Sequence, residues 1–255
     1  MDLRGAVAVV TGGNGGLGQR ICHALAEAGA NIAVVYASSA SQAALVAEEL
    51  CQSSRGRQLP IEAEAFQCDV TQAEQVRNLV DGVVKRFGRL DILINDAAYN
   101  KSIPFQDLDS LTMDEWSKII DVNLTGPMLC CKAVAPIMAA QGRGRIVNIA
   151  SVAGLAPTGS SIAYAVSKAG LIHLTKCMAV ALAPHTLVNC VAPGFLVDTR
   201  ATSNMHAGQI DIALQTSLLK IPADKDDCAE QVVTLCRSST TTGQTVVIDA
   251  GRVFH

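Results

Sequence analysis

The feature that most constrains the fold of this chain is a regular alternation of short apolar segments with longer segments of helical periodicity. Short runs rich in β-branched residues predict strands, and the alternation with helices is typical of a parallel sheet covered on both faces. The predicted strands span residues 6–10, 31–36, 61–67, 90–94, 145–149, 187–191 and 245–248. The predicted helices span residues 17–28, 41–54, 72–87, 112–140, 161–183 and 226–237. The sequence therefore predicts an α/β fold, a doubly wound parallel sheet of about seven strands, in a single domain spanning residues 1–255.

Two segments depart from this regular pattern. The long helical segment 112–140 contains Gly126, Pro127 and Pro136, which predict a kink or a break. Residues 193–220 lack strong periodicity, and a long irregular segment in a compact domain is usually functional. We expect these residues to form a lid over a substrate.

A glycine-rich turn joins the first predicted strand to the first predicted helix, where residues 11–18 read TGGNGGLG. Glycines let the backbone approach a pyrophosphate, and a helix N-terminus offers free N–H groups to it. The glycines fit G-x-G-x-x-G (13, 15, 18), T-G-x-x-x-G-x-G (12, 16, 18) and T-G-x-x-G-x-x-G (12, 15, 18), and the sequence leaves all three registers open. The cofactor contacts predicted here are Gly12, Asn14, Gly16, Leu17 and Gly18.

Further cofactor contacts are predicted at the carboxyl ends of the strands, where open α/β sheets bind ligands. They are Ser38, Ser39, Asp69, Val70, Asn95, Ala97, Pro193 and Gly194. Asp69 has an equally good alternative role as the N-cap of the following helix.

The end of the second predicted strand indicates which dinucleotide is bound. An NAD-selective site places a carboxylate about 20 residues past the glycines, on the ribose hydroxyl. Residues 31–47 contain no Asp or Glu, and residues 31–54 contain no Lys or Arg. Neutral donors from Asn14, Ser38 and Ser39 must then hold a 2′-phosphate, so the sequence predicts a moderate preference for NADP(H) over NAD(H).

Tyr164 and Lys168 lie four residues apart and therefore share one face of a predicted helix. A neighbouring cation favours the phenolate, so we expect the pKa of Tyr164 to fall toward working pH, as acid/base catalysis requires. Ser151 follows the strand 145–149 at the rim of the same crevice, where its hydroxyl could donate to a substrate carbonyl. The pair alone is weak evidence, and a solvated helix face is the alternative.

In combination, these motifs resemble the short-chain dehydrogenase/reductase family of the one-domain type, whose fold is Rossmann-like. The resemblance runs from Leu3 to Gly251 and rests on the glycine turn, residues 95–98, Asn123, Ser151, Tyr164-x-x-x-Lys168 and Pro193-Gly194. It implies that Tyr164 donates a proton during reduction, that Ser151 orients the carbonyl, and that Lys168 binds the nicotinamide ribose and lowers the pKa of Tyr164. It also implies that Asn123 holds a water molecule in a proton relay.

Three positions depart from the usual pattern of that family. Its Asn-Asn-Ala-Gly reads Asn95-Asp96-Ala97-Ala98 here, and its Asp-Gly-Gly near the end reads Asp249-Ala250-Gly251. After Pro193-Gly194, the threonine comes one position late, at Thr199. None of these departures falls on the four predicted catalytic residues Asn123, Ser151, Tyr164 and Lys168.

The resemblance implies hydride transfer between nicotinamide and a ketone or secondary alcohol, and we favour a ketoacyl or polyketide-like carbonyl reductase. A steroid or a sugar remains open as substrate, and the expected pocket includes Lys101, Arg200 and His206.

An extended epimerase or dehydratase is disfavoured, because only about 60 residues follow Pro193. A zinc dehydrogenase is disfavoured because the five histidines show no ligand spacing. A nucleotide-sensing protein without catalysis is the remaining alternative.

Charge and hydropathy narrow the possible partners. The net charge of −3 without a basic cluster predicts no nucleic-acid partner. The N-terminus lacks the layout of a signal peptide, and no apolar stretch approaches the roughly 20 residues of a membrane span, so we expect a cytoplasmic protein. The odd number of cysteines, nine, indicates reduced thiols. The resemblance implies a homotetramer or homodimer that packs through helices 112–140 and 161–183.

Overall fold

A single parallel sheet forms the centre of the computed structural model, which describes residues 1–55, 60–199, 202 and 207–254. Its strands are β1 (Val7–Thr11), β2 (Asn31–Tyr36), β3 (Ala63–Gln67), β4 (Ile92–Asn95), β5 (Gly144–Ile149), β6 (Thr186–Pro193) and β7 (Thr245–Ile248). The strand order is β3-β2-β1-β4-β5-β6-β7, and every neighbouring pair is parallel. The predicted doubly wound sheet is confirmed.

Eight helices are found in the part of the chain that the structure describes. They are α1 (Gly16–Glu27), α2 (Ala40–Ser54), α3 (Ala73–Phe87), α4 (Met113–Ile120), α5 (Gly126–Ala140), α6 (Ile162–Ala181), α7 (Ala207–Gln215) and α8 (Lys225–Arg237). Helix α7 lies within the predicted lid, for which the sequence indicated no regular structure. Arg200 and His206, which were expected to contribute to the pocket, lie outside the described residues.

The central strands are buried on both faces, which explains their continuous apolar sequences. On one face, residues such as Ile21 of α1, Leu50 of α2 and Val232 of α8 pack against the sheet. On the other face, Leu79 of α3 and Val134 of α5 pack against it. The sheet is thereby held rigidly, so the loops at its carboxyl edge have a fixed support.

The helix predicted at 112–140 is not broken at its glycine or prolines. It runs from Met113 to Ala140 with a π-helical segment, Asp121–Thr125, between α4 and α5. By length and composition alone this run would be sufficient to cross a membrane. In the structure, however, its α5 part packs against the sheet through the buried residues Cys131, Val134 and Met138. The absence of a membrane span stays a prediction.

The strand order reverses between β1 and β4, and the two strand ends are tied together there. Thr11 Oγ1 accepts hydrogen bonds from the backbone N–H groups of Asp96 and Ala97, each at 3.1 Å. The loop after β4 is thus fixed against the loop after β1. A crevice at such a reversal is where open α/β sheets bind ligands.

Candidate active site

Two neighbouring cavities open along the carboxyl edge of the sheet. We call the first the turn cavity; it is lined by the glycine-rich turn and by residues after β2, β3, β4, β5 and β6. We call the second the lid cavity; it has a volume of about 530 Å³ and includes Ile212 and Ala213 of α7 in its wall. Both cavities are lined by Tyr99, Asn100, Ser151, Tyr164, Gly194 and Thr202. A molecule in one cavity can therefore meet a molecule in the other at Ser151 and Tyr164.

The glycine-rich turn is packed too closely to accept side chains at particular positions. Gly12 has a φ of +69°, a conformation that favours glycine. A Cβ atom on Gly18 would lie 2.3 Å from the carbonyl oxygen of Gly12, and one on Gly16 would lie 2.6 Å from that of Asp198. These contacts favour the register of Gly12, Gly16 and Gly18 among the three that the sequence left open. Helix α1 begins at Gly16, so its free N–H groups face the turn cavity.

Most of the predicted site residues lie in the wall of the turn cavity. They are Gly12, Asn14, Gly16, Leu17, Asp69, Val70, Ala97, Ser151, Tyr164, Lys168, Pro193 and Gly194. Five others do not line it, namely Gly18, Ser38, Ser39, Asn95 and Asn123. Asp69 is not an N-cap, because α3 is capped at Gln72, and its Oδ1 instead accepts from the N–H of Thr71 at 2.9 Å.

Asn95 and the two serines have other surroundings. The amide of Asn95 is buried and donates to Asn148 Oδ1 at 2.8 Å, so it joins β4 to β5 beneath the cavity. Ser38 and Ser39 are exposed just before α2. The carbonyl oxygen of Ser38 accepts from Asn14 Nδ2 at 3.1 Å, which links the glycine-rich turn to the end of β2.

Asn123 lies in the π-helical segment and is fully buried. Its Oδ1 accepts from the N–H of Tyr99 at 2.8 Å, and its Nδ2 donates to the carbonyl oxygen of Tyr99 at 2.9 Å and to Ser167 Oγ at 3.1 Å. The side chain therefore fixes the loop after β4 to α6, the helix that carries Tyr164. A π-helical turn inside an α-helix is often found at a functional site.

Ser151, Tyr164 and Lys168 are brought together by two adjoining elements. Ser151 caps the 3₁₀ turn Val152–Gly154, which follows β5 directly, and Tyr164 and Lys168 lie in the first two turns of α6. The Ser151 hydroxyl is hydrogen-bonded to Tyr164. Lys168 Nζ lies 5.7 Å from the centre of the Tyr164 ring and donates to the carbonyl oxygen of Ile149 at 2.8 Å.

The electrostatics of this cluster differ from the sequence-based expectation. Burial raises the pKa of Tyr164 to about 12, although the hydrogen bond from Ser151 opposes the rise. Burial also lowers the pKa of Lys168 to about 8. The expected lowering of the tyrosine pKa by the lysine is not found: loss of solvent around the phenol has the largest effect on this pKa, and the opposing interaction comes from Ser151 rather than from Lys168.

Asp96 is a charged residue of the site that was not predicted from the sequence. It lines the turn cavity, and its carboxylate raises the pKa values of both Tyr164 and Lys168. The sequence did contain a signal, because Asp96 occupies a position where the family usually has a neutral asparagine. What sequence could not show is that this side chain lies near the predicted acid/base residues.

At the entrance to the lid cavity, Lys101 does not present a free charge. Its Nζ donates to Glu115 Oε1 at 2.9 Å, and Glu115 Oε2 accepts from the hydroxyl of Tyr99 at 3.2 Å. The ammonium of Lys118 lies 4.1 Å from the centre of the Tyr99 ring. This cluster holds Tyr99 at the junction of the two cavities.

The remaining titratable residues form no second centre in the described part of the chain. No group of three or more His, Cys, Asp or Glu side chains is arranged there to hold a metal ion. All nine cysteines are free, and seven of them are buried.

Comparison with known proteins identifies the family. Residues 6–209 match the short chain dehydrogenase family. A 3-oxoacyl-[acyl-carrier-protein] reductase of Synechocystis is 35% identical over 253 residues, covering 99% of this chain and 98% of the relative. The protein assigned as ketoacyl reductase 2 of the granaticin polyketide synthase of Streptomyces violaceoruber is 36% identical over 247 residues, covering 96% and 95%.

A solved structure gives the same result. The NADPH-dependent 3-quinuclidinone reductase of Rhodotorula rubra is similar with a TM-score of 0.88 at 28% identity, covering 98% of this chain and 92% of the other. The chain belongs to the short-chain dehydrogenase/reductase family. It is an oxidoreductase that uses a nicotinamide cofactor, which confirms the class predicted from the sequence.

Proposed function

We propose that this protein is an NADP(H)-dependent carbonyl reductase that acts on a ketoacyl or polyketide-like ketone. The observation that carries the proposal is the shared wall of the two cavities, where the hydrogen-bonded Ser151 and Tyr164 face both. Relatives that are named as ketoacyl reductases match over nearly the whole chain, which supports this choice of substrate class.

The turn cavity has the features that a dinucleotide requires. The N-terminus of α1 would bind the diphosphate, and the crowding at Gly16 and Gly18 leaves backbone rather than side chains at that surface. Lys168 and Gly194 would contact the nicotinamide half, since they lie in the cavity wall together with Tyr164. The bound nicotinamide supplies or accepts the hydride.

The chain's own contribution is the control of one proton at the carbonyl oxygen. A ketone in the lid cavity, with its oxygen toward Ser151 and Tyr164, would accept a hydrogen bond from each hydroxyl. Because the pKa of Tyr164 is raised to about 12, its phenol is protonated at neutral pH and is ready to donate as negative charge develops on the oxygen. This protonation state suits reduction better than oxidation.

Replacing the phenol tests the proposed acid. In Tyr164→Phe we expect turnover of a 3-ketoacyl thioester to fall by roughly 10²–10⁴-fold, with cofactor affinity nearly unchanged. The measurement is NADPH oxidation followed by absorbance, with Tyr36→Phe at the end of β2 as the matched control. Retained turnover in Tyr164→Phe would contradict the assignment. Tight cofactor binding by the unmodified protein, with no turnover on a broad carbonyl panel, would instead favour the sensing protein.

The choice of NADP(H) has a separate test. Within the described residues, the wall of the turn cavity at the end of β2 consists of Val35 and Ala37, so no carboxylate there repels a 2′-phosphate. We expect kcat/KM to be higher with NADPH than with NADH, but only moderately, because neutral groups bind a phosphate less strongly than an arginine. Equal values, or a preference for NADH, would show this proposal to be wrong.

A further inference from the structure

Asp96 introduces an acid into the cavity at a position where a neutral amide is usual in this family. Its backbone N–H donates to Thr11 Oγ1 at 3.1 Å, which fixes the residue beside the glycine-rich turn. The exchange of an amide for a carboxyl group changes the charge but hardly the size of the side chain. Its consequences are therefore electrostatic.

The carboxylate of Asp96 lies close to the first turn of α1. It belongs to the wall of the turn cavity, and a Cβ atom on Gly18 would lie 2.9 Å from its Oδ2. Among the described residues, none donates a hydrogen bond to this side chain. An ionised carboxylate without such donors is poorly stabilised once water is excluded from it.

The groups around Asp96 come from three helices. Lys168 and Tyr164 on α6, Cys22 on α1 and Cys228 on α8 all interact with it electrostatically. Among the charged side chains that act on it, Lys168 is the one that stabilises the ionised form. Loss of solvent outweighs that cation and raises the pKa of Asp96 to about 7. Near neutral pH the side chain is thus divided about equally between its two protonation states.

We propose that Asp96 takes up a proton from solvent when the nicotinamide cofactor binds, so that cofactor affinity depends on pH through this residue. The diphosphate of a dinucleotide binds at the N-terminus of the helix after the glycine-rich turn, which is the helix that Asp96 adjoins. Anionic oxygens there disfavour a second anion beside them, so binding converts the carboxylate and one proton into the neutral acid. The inference rests on the class of cofactor and is independent of the substrate.

The sign of the pH dependence follows by linkage. Well below pH 7 the free protein already carries the proton, and cofactor affinity is independent of pH. Above pH 7 the proton must be taken up on binding, so the dissociation constant rises with pH, by up to about tenfold per unit. Lys168 adds little at pH 7, because with a pKa of about 8 it is already mostly protonated.

Calorimetry of NADPH binding at pH 7, in two buffers with different enthalpies of ionisation, measures the proton directly. We expect the unmodified protein to take up more protons than Asp96→Asn, and its dissociation constant to rise more steeply from pH 6.5 to 7.5. Titration of the ligand's own phosphate is common to both proteins and cancels in the comparison. Asp81→Asn, an equal charge change on the exposed side of α3, should behave like the unmodified protein.

The result that overturns the proposal is equal proton uptake and an equal pH slope in the unmodified protein and in Asp96→Asn. Absence of proton uptake by the unmodified protein on binding NADH, which has no 2′-phosphate to titrate, would also overturn it, and that measurement needs no variant to fold. Binding of NADPH without proton uptake would leave the proposed reductase intact, since the carbonyl assay tests that function separately. Failure of NADPH to bind at all would refute both.

Discussion

At the scale of single residues, Lys168 is expected to serve a purpose that its neighbour Tyr164 does not, which is binding of the cofactor. Its side chain is buried, and its ammonium donates one hydrogen bond to the carbonyl oxygen of Ile149. It also lines the turn cavity, so it has donors left for a ligand there. A change at this residue should therefore affect binding as well as chemistry.

We expect Lys168→Ala to weaken cofactor binding by about tenfold to a hundredfold, the loss of one hydrogen bond to a charged group. Turnover should fall as well, whereas Tyr164→Phe should change turnover alone. A fluorescence titration with NADPH measures the cofactor affinity. The control is Lys176→Ala, at an exposed position on the same helix. Unchanged affinity in Lys168→Ala would argue against contact with the cofactor.

The residues of the candidate site were largely predictable from sequence, but their electrostatics were not. Spacing placed Tyr164 and Lys168 on one helix face, and Ser151 followed a predicted strand. Spacing gives no information on how much solvent surrounds a side chain, and so the expected direction of the pKa shift of Tyr164 was wrong. Spacing also cannot show that the side chain of Asn123 makes hydrogen bonds with Tyr99 and Ser167, which are distant in sequence.

At the scale of elements, the 3₁₀ turn that carries Ser151 is held against α6 by a close backbone approach. A Cβ atom on Gly154 would lie 2.6 Å from the carbonyl carbon of Lys168 and 2.7 Å from the nitrogen of Ala169. These are main-chain atoms of a helix and cannot rotate away. The distance between Ser151 and Tyr164 therefore depends on the absence of a side chain at Gly154.

We expect Gly154→Ala to destabilise the protein by about 1–3 kcal/mol, as overpacking does, and to lower turnover by moving Ser151. The control is Gly82→Ala on α3, where the new Cβ would meet the ring of Phe66 at ordinary distances, 3.6 Å from Cε1 and 3.9 Å from Cδ1. Since alanine favours a helix over glycine, this variant should be neutral or more stable by up to about 1 kcal/mol. Thermal unfolding measures the stability of both variants. Equal stability of Gly154→Ala and Gly82→Ala would contradict the packing argument.

Elements with strong periodicity were predicted to within a few residues, because burial on both faces leaves a clear apolar run. The strand predicted at 187–191 extends to Thr186–Pro193, and the one predicted at 61–67 begins only at Ala63. Helix α7 was missed since its short sequence, AGQIDIALQ, lacks a regular apolar face. The segment with Gly126, Pro127 and Pro136 was predicted to kink or break; the helix is not broken there, and a π-helical segment, Asp121–Thr125, lies directly before Gly126.

At the scale of the whole molecule, assembly into a dimer or tetramer stays a prediction, as do the cytoplasmic location and the lack of a nucleic-acid partner. Helix α6 carries apolar residues on its outer side, where Val180 is 82% exposed and Val166 is 44% exposed. Buried residues such as Leu171 occupy its inner side. Apolar groups on both sides of one helix are typical of a helix covered by a partner.

Light scattering at micromolar concentration should give a mass of two or four chains. We expect Val180→Glu to lower this mass, because a carboxylate would be buried between copies. Leu45→Glu, at a site on α2 that is also exposed, should leave the mass unchanged. A monomeric unmodified protein, or the same mass for both variants, would show that α6 is not the contact.

The order of the strands also determines when the molecule can become complete during its synthesis. Strand β1 has β4 as one of its neighbours, with Ala8 beside Ile92, so one side of β1 stays unpaired until some eighty further residues have been made. Strand β6 likewise stays unpaired on one side until β7 is made, since Cys190 lies beside Thr245, some fifty residues further along the chain. Pairings between such distant segments form slowly, and an unpaired strand edge invites contact with other chains. The arrangement that places Asp96 beside the glycine-rich turn in the finished protein thus leaves one side of β1 unpaired in the nascent chain until β4 has been added.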